Sequence, residues 1–163
     1  MPLTLRAVHC LRVATAALLC FATPAHAAQR CSFGISPLNF GAYEAGTPEP
    51  ADATGTLSVR CTGSPATAVV VAISAGAGGD AGNRALQSGV DLLDYNLFVD
   101  AARTRVWGDG TGGTERVLAA APDDDTRGTR PREVDVPVYG RIFPWQDPAP
   151  GNYADVVTIS VEF

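Results

Sequence analysis

After residue 27, the side chains that remain for acid–base chemistry are carboxylates, arginines and tyrosines. Both histidines and two of the four cysteines lie in the first 27 residues, and every basic residue is an arginine. Most nucleophilic triads and most zinc sites need histidine, lysine or a free thiol. A glycosidase needs only two carboxylates beside a cleft, so a small carboxylate glycosidase remains an open hypothesis. Because the acidic residues stand mainly in turn-like sequence, we expect no enzyme.

Two stretches could in principle bind an ion. Asp123, Asp124 and Asp125 offer the hard oxygen ligands that Ca²⁺ prefers, but their spacing matches no calcium loop and favours a solvated loop. Residues 107–113 are rich in glycine but lack the helix and lysine of a phosphate-binding loop. The pair Asp109 and Gly110 is instead typical of a hairpin turn. We therefore expect no cofactor and no metal site.

The first 27 residues are typical of an export signal. Arg6 and Arg12 give a positive start, residues 13–22 form an apolar run too short to span a bilayer comfortably, and Ala25 and Ala27 form an A-x-A cleavage site. We expect cleavage after Ala27, which leaves one domain over residues 28–163. No second apolar stretch is long enough for a membrane helix, so the product should be exported and not integral to a membrane.

The exported chain is acidic and contains two cysteines. Two of the 12 arginines leave with the signal, and ten against 17 acidic residues give a formal net charge of −7. This charge argues against nucleic acid and anionic membranes as partners. In an oxidising compartment, Cys31 and Cys61 are expected to form a disulfide; two buried free thiols are the alternative.

The hydrophobic pattern predicts strands and no amphipathic helix of useful length. Strands are predicted within residues 34–41, 55–61, 66–76, 92–100, 105–108, 132–142 and 152–163. Residues 66–76 are β-branched and nearly continuous, which favours burial on both faces. Pro137 cannot donate to a strand ladder, so it is expected at an edge or a bulge. About seven short strands with Gly and Pro turns indicate an all-β fold, usually a Greek-key sandwich at this size.

The last strand and the loop before it contain the candidate functional residues. Val157, Ile159, Val161 and Phe163 alternate with polar residues, so they share one face of a strand whose exposed edge something should cover. In the loop 143–151, Phe143 and Trp145 stand among prolines and glycine. These two aromatic residues are either a lid on the end of the sandwich or an exposed contact surface.

Several of these segments together resemble one family. The matching pieces are CSFGISPLNFGAY, GTLSVRC, AISAG, LLDYNLFVDAARTRVWGDGTGG, VPVYGRI and GNYADVVTISVEF. In this order they resemble the spore coat protein U domain family, which is related to the subunits of archaic (Csu-type) chaperone-usher pili. The long piece over residues 92–113 is the most specific. No enzyme activity belongs to this family.

The resemblance implies an immunoglobulin-like sandwich without its last strand and with one disulfide. In such subunits a periplasmic chaperone first fills the groove beside the terminal strand, and an extended segment of a neighbouring subunit fills it after passage through an outer-membrane usher. By this resemblance Val157, Ile159, Val161 and Phe163 line the acceptor groove. The protein is then a structural or adhesive subunit of a surface fimbria or coat, secreted through the periplasm.

One departure from the family pattern bears on the position of the subunit. After the predicted cleavage only Ala28, Gln29 and Arg30 precede Cys31, and three residues reach about 10 Å, shorter than a donor strand. We therefore expect a subunit that accepts a strand and gives none, as at a fibre tip. The alternative is a self-complete secreted coat or carbohydrate-binding module that needs no partner strand.

Overall fold

The computed structural model describes residues 30–62, 69–120 and 132–162. Within these ranges the chain forms strands and one short 3₁₀ turn, Gly76–Gly78. The strands are β1 (Arg30–Ile35), β2 (Ala51–Thr62), β3 (Val69–Ile73), β4 (Arg84–Ser88), β5 (Asp91–Phe98), β6 (Val117–Ala119), β7 (Arg132–Ile142) and β8 (Ile159–Glu162).

The strands form two antiparallel sheets. The larger sheet has the order β1-β2-β7-β5-β4, and the smaller has the order β6-β3-β8. The longest register joins β2 to β7, from Ala51 opposite Ile142 to Cys61 opposite Arg132. The chain changes sheets after β2, β3, β5, β6 and β7. The predicted all-β sandwich is confirmed.

The core lies between the two sheets. Alternation along β2 and β7 puts Leu57, Val59 and Val138 on the inner face, where each is at most 2% exposed. From the smaller sheet Val71 faces them and is 0% exposed. Trp107 is also fully buried, and its indole N–H donates to the carbonyl of Val71 at 3.1 Å. The large ring is therefore both packed and hydrogen-bonded, as a buried tryptophan needs to be.

One margin of the sandwich is closed by residues 105–108, which connect the two sheets. The amide of Trp107 donates to Leu97 on β5 at 2.8 Å, and the carbonyl of Gly108 accepts from Ile73 on β3 at 3.2 Å. Gly108 lies on the β6 side of β3, because the next amide, Ser74, donates to Thr158 on the β8 side at 2.9 Å. The β5 side of the large sheet is thus joined to the β6 side of the small one.

The first strand lies earlier than predicted. β1 ends at Ile35, and Leu38 and Phe40 belong to an irregular segment that packs against the core. Side chains in this segment cover the inner faces of Gly55 and Gly140, where an added Cβ would collide with Leu38. Leu38 and Phe40 therefore cover the inner face of the large sheet at these two glycines.

Burial along β3 and β5 also departs from the prediction. In β3 only Val69, Val71 and Ile73 are buried, whereas Val70 and Ala72 are half-buried, so the strand has one core face and not two. The end of β5, in contrast, is buried on both faces, since Asn96 and Phe98 are buried together with their core-facing neighbours. Residues 105–107 cover this part of β5, and Phe98 forms a bridge with Val106.

The predictions for Pro137 and for the last strand can each be compared with the structure. β7, which contains Pro137, is a central strand of the large sheet, but Pro137 itself lies where one side of β7 is unpaired among the described residues, in agreement with the predicted edge position. Pro137 lies opposite Thr56 of β2, but the β5 register begins only at Tyr139, so the missing N–H falls where β7 has one strand neighbour among the described residues. The last strand is shorter than predicted, since β8 covers Ile159–Glu162.

Candidate functional site: two open strand edges

The first open edge belongs to β1, which pairs only with β2 among the described residues. Phe33 lies opposite Val59 and Ile35 lies opposite Leu57. Residues directly opposite each other in an antiparallel pair point to the same face. Val59 and Leu57 are core residues at 1% exposure, so Phe33 and Ile35 also point to the core side, yet they are 46% and 54% exposed. The interior is therefore open to solvent along β1.

The second open edge belongs to β8, which pairs only with β3 within the described ranges. Ile159 lies opposite Ile73 and Val161 opposite Val71. The two β3 residues are 2% and 0% exposed, while their β8 partners remain only half-buried although they pack against the core. Val157, just before β8, shares this inner face and is also half-buried.

Both open edges lie on the same margin of the sandwich. β1 and β8 are each the strand farthest from the margin that residues 105–108 close. β2 ends and β3 begins at one end of the molecule, so β1, paired with β2, starts where β8, paired with β3, finishes. The edges thus run in opposite directions along one side. We call the space between them the margin groove, bounded by Phe33, Ile35, Ile159 and Val161.

The disulfide holds the β1 wall of the margin groove in place. Cys31 and Cys61 lie directly opposite each other with their Cα atoms 4.0 Å apart, and their sulfur atoms are bonded. This pairing confirms the predicted disulfide. At the other end of β1, the Ser36 amide donates to Thr56 at 3.0 Å, and the Thr56 amide donates to the Ser36 hydroxyl at 2.7 Å. A six-residue edge strand is thereby fixed to β2 at both ends.

A buried arginine fixes the other wall through β3. Arg84 is 0% exposed, and its guanidinium donates to the carbonyls of Ser74 at 2.7 and 3.0 Å, of Ala81 at 3.0 Å and to the side chain of Asn96 at 2.7 Å. Ser74 is the residue that receives β8, since its hydroxyl accepts from the Thr158 amide at 2.9 Å. The cation therefore connects the large sheet to the start of the β8 edge.

The segment that leads into β8 is anchored by Asp155. Its carboxylate accepts from the Tyr95 hydroxyl at 2.7 Å and from the amides of Ala77 and Val156 at 2.8 Å each. Burial of the phenol, and next its hydrogen bond to Asp155, raise the pKa of Tyr95 far above its ordinary range. On the outer face of β8, Glu162 forms an exposed ion pair with Arg116 at 3.3 Å.

The loop with Phe143 and Trp145 is held by hydrogen bonds and is partly exposed. Trp145 is 69% exposed and has a positive φ of 63°, whereas Phe143 is 37% exposed. The Trp145 amide donates to Thr47 at 2.9 Å, and the side chain of Gln146 donates to Asp94 at 2.8 Å and accepts from its amide at 2.6 Å. A bulky residue in this conformation is strained, so these hydrogen bonds hold it there. Trp145 does not form a buried lid.

The structure describes three of the four predicted groove residues. Val157, Ile159 and Val161 lie on one face at the open margin, while Phe163, Asp123, Asp124 and Asp125 lie outside the described residues. Phe33 and Ile35 were not predicted as part of a groove. Their alternation immediately after Cys31 marks a strand face, but only the register with β2 shows which way that face points.

The described residues offer neither a metal site nor a membrane-spanning helix. No group of three or more His, Cys, Asp or Glu side chains among them could hold a metal ion. Within the same ranges, no helix is long and apolar enough to cross a bilayer.

Of the comparisons with known proteins, one matches a family model and one matches a solved structure. The family model of the spore coat protein U domain matches residues 15–160. A solved structure of similar fold is the chaperone–tip adhesion subunit pre-assembly complex, CsuC–CsuE, from archaic chaperone-usher Csu pili of Acinetobacter baumannii, with a TM-score of 0.52 and 24% identity over 83% of this chain. The likeness spans 40% of that chain's own length and supports the fold alone. A search of curated proteins found no match.

Proposed function

This chain belongs to the spore coat protein U domain family, and from that premise we propose that it is a structural or adhesive subunit of a surface fimbria or coat. In this proposal its margin groove accepts an extended strand, first from a periplasmic chaperone and then from a neighbouring subunit delivered by an outer-membrane usher. The route is secretion through the periplasm to the cell surface. The role is structural and not catalytic.

The observation that carries the proposal is the exposure of core-facing side chains along the margin between β1 and β8. Phe33 and Ile35 point inward but are about half exposed, opposite partners that are 1% exposed. Interiors are normally packed without voids, and contiguous apolar surface on a soluble protein usually marks an interaction site. An inserted strand would bury Phe33, Ile35, Ile159 and Val161 together and would pair both strand edges.

The geometry of the margin specifies what fits. β1 is six residues long, so an occupant that follows it needs about 20 Å of extended chain. It would place about three alternate apolar side chains inward, each contributing about 1.5–3 kcal/mol on full burial. Because β1 and β8 run in opposite directions, the inserted strand is parallel to one of them and antiparallel to the other. Backbone pairing with both edges supplies affinity without dependence on sequence.

The proposal also includes a position for the subunit, at the tip of a fibre. It rests on the predicted cleavage after Ala27, which leaves too short a segment before Cys31 to serve as a donor strand. The exposed aromatic pair, Phe143 and Trp145, is the proposed contact surface of such a tip. Its support is that the Trp145 side chain is exposed while its backbone is fixed by hydrogen bonds, so little ordering would be needed on contact.

A matched pair of substitutions tests the groove. Ile159→Asp places a charge on the inner face of β8, whereas Ser160→Asp places the same charge on the exposed outer face. The assay is binding of a synthetic decapeptide with alternating Val and Thr, measured by the rise in melting temperature and by hydrogen exchange of β1 and β8. We expect binding by the unaltered chain and by Ser160→Asp, and loss of binding in Ile159→Asp.

The same assay can reject the proposal. A chain that melts cooperatively without peptide, with β8 amides already as protected as those of β7 and no response to the peptide, is self-complete. That outcome would leave a secreted coat or carbohydrate-binding module as the function.

A further inference from the structure

A cavity of about 730 Å³ lies at the end of the sandwich where the irregular segments 38–45 and 148–155 cross the large sheet. Its floor consists of Leu86, Leu93 and Ile142 from three neighbouring strands. Neither β1 nor β8 contributes to the lining, so the cavity is distinct from the margin groove. Its size falls within the range of small-molecule sites, about 300–1,000 Å³.

The side chains around the cavity combine aromatic surface with uncharged polar groups. Phe40, Tyr43 and Tyr153 supply the aromatic surface, and Asn39 and Asn152 supply amides. No hydrogen bond is made by the Asn152 side chain within the described part of the chain. Both walls are irregular, so most of their backbone polar groups are not used in strand pairing. Such a surface can contact the apolar face of a ring and hydrogen-bond to hydroxyl groups at its edge.

The charges around the cavity disfavour ionic ligands. Among the described residues no arginine lines it, which leaves an anion without a partner there. Asp155 is the only charged side chain that the described part of the chain contributes to the lining, and its carboxylate already accepts from Tyr95, Ala77 and Val156. A cation would have to compete with these three donors. A neutral ligand meets neither obstacle.

The walls of the cavity are already ordered. The Tyr43 hydroxyl donates to Phe143 at 3.1 Å and accepts from the Gln146 amide at 3.1 Å, so segment 38–45 is joined to the loop that leads into segment 148–155. Tyr153 donates to Ala149 at 2.8 Å, and Phe40 packs edge-to-face on Tyr95 with ring centroids 5.9 Å apart. A ligand would therefore pay little to order its site, which favours binding of small molecules.

From these observations we propose that the cavity between segments 38–45 and 148–155 binds a neutral carbohydrate, of one or two sugar rings. The ring face lies against the aromatic side chains, and the amides and free backbone groups bind its hydroxyls. This inference does not depend on strand insertion, because the cavity and the margin groove share no strand residue.

The test uses the ¹⁵N-labelled exported chain, with and without the alternating Val/Thr peptide. Glucose, galactose, mannose and N-acetylglucosamine are titrated at millimolar concentrations, with glucuronate and glucosamine as charged comparisons. We expect amide shifts at residues 38–45 and 148–155 with at least one neutral sugar, in both states of the margin groove. If the peptide fails to bind but the sugar still does, the proposed strand insertion is wrong and the sugar site stands.

Substitutions from each wall locate the site. Ala42→Trp and Ala149→Trp fill the cavity from opposite sides and should each weaken binding by about tenfold or more, whereas Ala102→Trp, on an exposed turn outside the lining, should not. Asn152→Ala removes only an exposed amide, so it tests the site with a variant that should keep the fold. The inference is overturned if no neutral sugar shifts these amides, if the charged sugars bind more tightly, or if both tryptophan variants bind like the unaltered chain.

Discussion

Loss of the disulfide should release β1 from the sandwich. The bond closes a loop with a sequence separation of 30 residues. On the chain-entropy relation, opening such a loop costs about 3.5 kcal/mol, a large part of the 5–15 kcal/mol typical of a domain. With a urea dependence of about 2 kcal/mol per molar, the midpoint of unfolding should fall by nearly 2 M.

The loss of structure after removal of the disulfide should also be greatest in β1, because β1 is an edge strand. β2 is its only strand partner in the described ranges, whereas β7 lies between two strands. In the Cys31→Ala/Cys61→Ala variant, hydrogen exchange should therefore accelerate more in β1 than in β7. Binding of the alternating Val/Thr peptide should weaken with it, since one wall of the margin groove is lost.

Urea unfolding followed by tryptophan fluorescence, with hydrogen exchange alongside, measures both effects. Reduction of the unaltered chain removes the same bond without changing side-chain volume and serves as the control. If both routes lower the free energy of unfolding by less than about 1 kcal/mol, or if β1 and β7 lose protection equally, the assigned role of the disulfide is wrong.

Three further predictions concern the supports of the two edges. Arg84→Met should lower the free energy of unfolding by about 3 kcal/mol in urea melts, because buried acceptors on Ser74 and Asn96 lose their donor; an unchanged midpoint would contradict this. Trp145→Gly should be about 1 kcal/mol more stable than Trp145→Ala, since only glycine is unstrained at this positive φ, and equal stabilities would argue against the strain. Because the pKa of Tyr95 is raised in the folded state, its hydroxyl contributes fully to the free energy of unfolding below its unfolded pKa of about 10. This contribution is lost as pH rises towards the folded pKa. The free energy of unfolding should therefore fall above pH 10, and it should fall less steeply in Tyr95→Phe.

Local patterns were sufficient for the strands and the covalent bond. The pattern of residues 55–61 predicted a strand that lies within β2, and the expected export predicted the pairing of Cys31 with Cys61. The same reasoning failed for Leu38 and Phe40, which were placed in the first strand but cover the end of the large sheet. Their destination depends on Gly55 and Gly140, which are distant in sequence and leave room for them.

The candidate sites depended more strongly on distant contacts. The alternation of Val157, Ile159 and Val161 indicated a strand face at the chain's end, and this face was found at an open margin. Phe33 has the same local pattern as a buried strand residue, and nothing nearby in sequence shows that it is half exposed. The cavity could not be predicted, because Tyr43 and Tyr153 come from segments more than a hundred residues apart.

By itself the sequence determined the class of fold, the disulfide, the net negative charge and the membership of the family. A period of two specifies which side chains share a face, and two cysteines in an oxidising compartment usually form a disulfide. Only the tertiary structure decided which edges lack a neighbour and which aromatic residues meet around a cavity. The exposure of a side chain is a property of everything packed around it, and Phe33 and Val59, opposite each other on one sheet face at 46% and 1% exposure, show this directly.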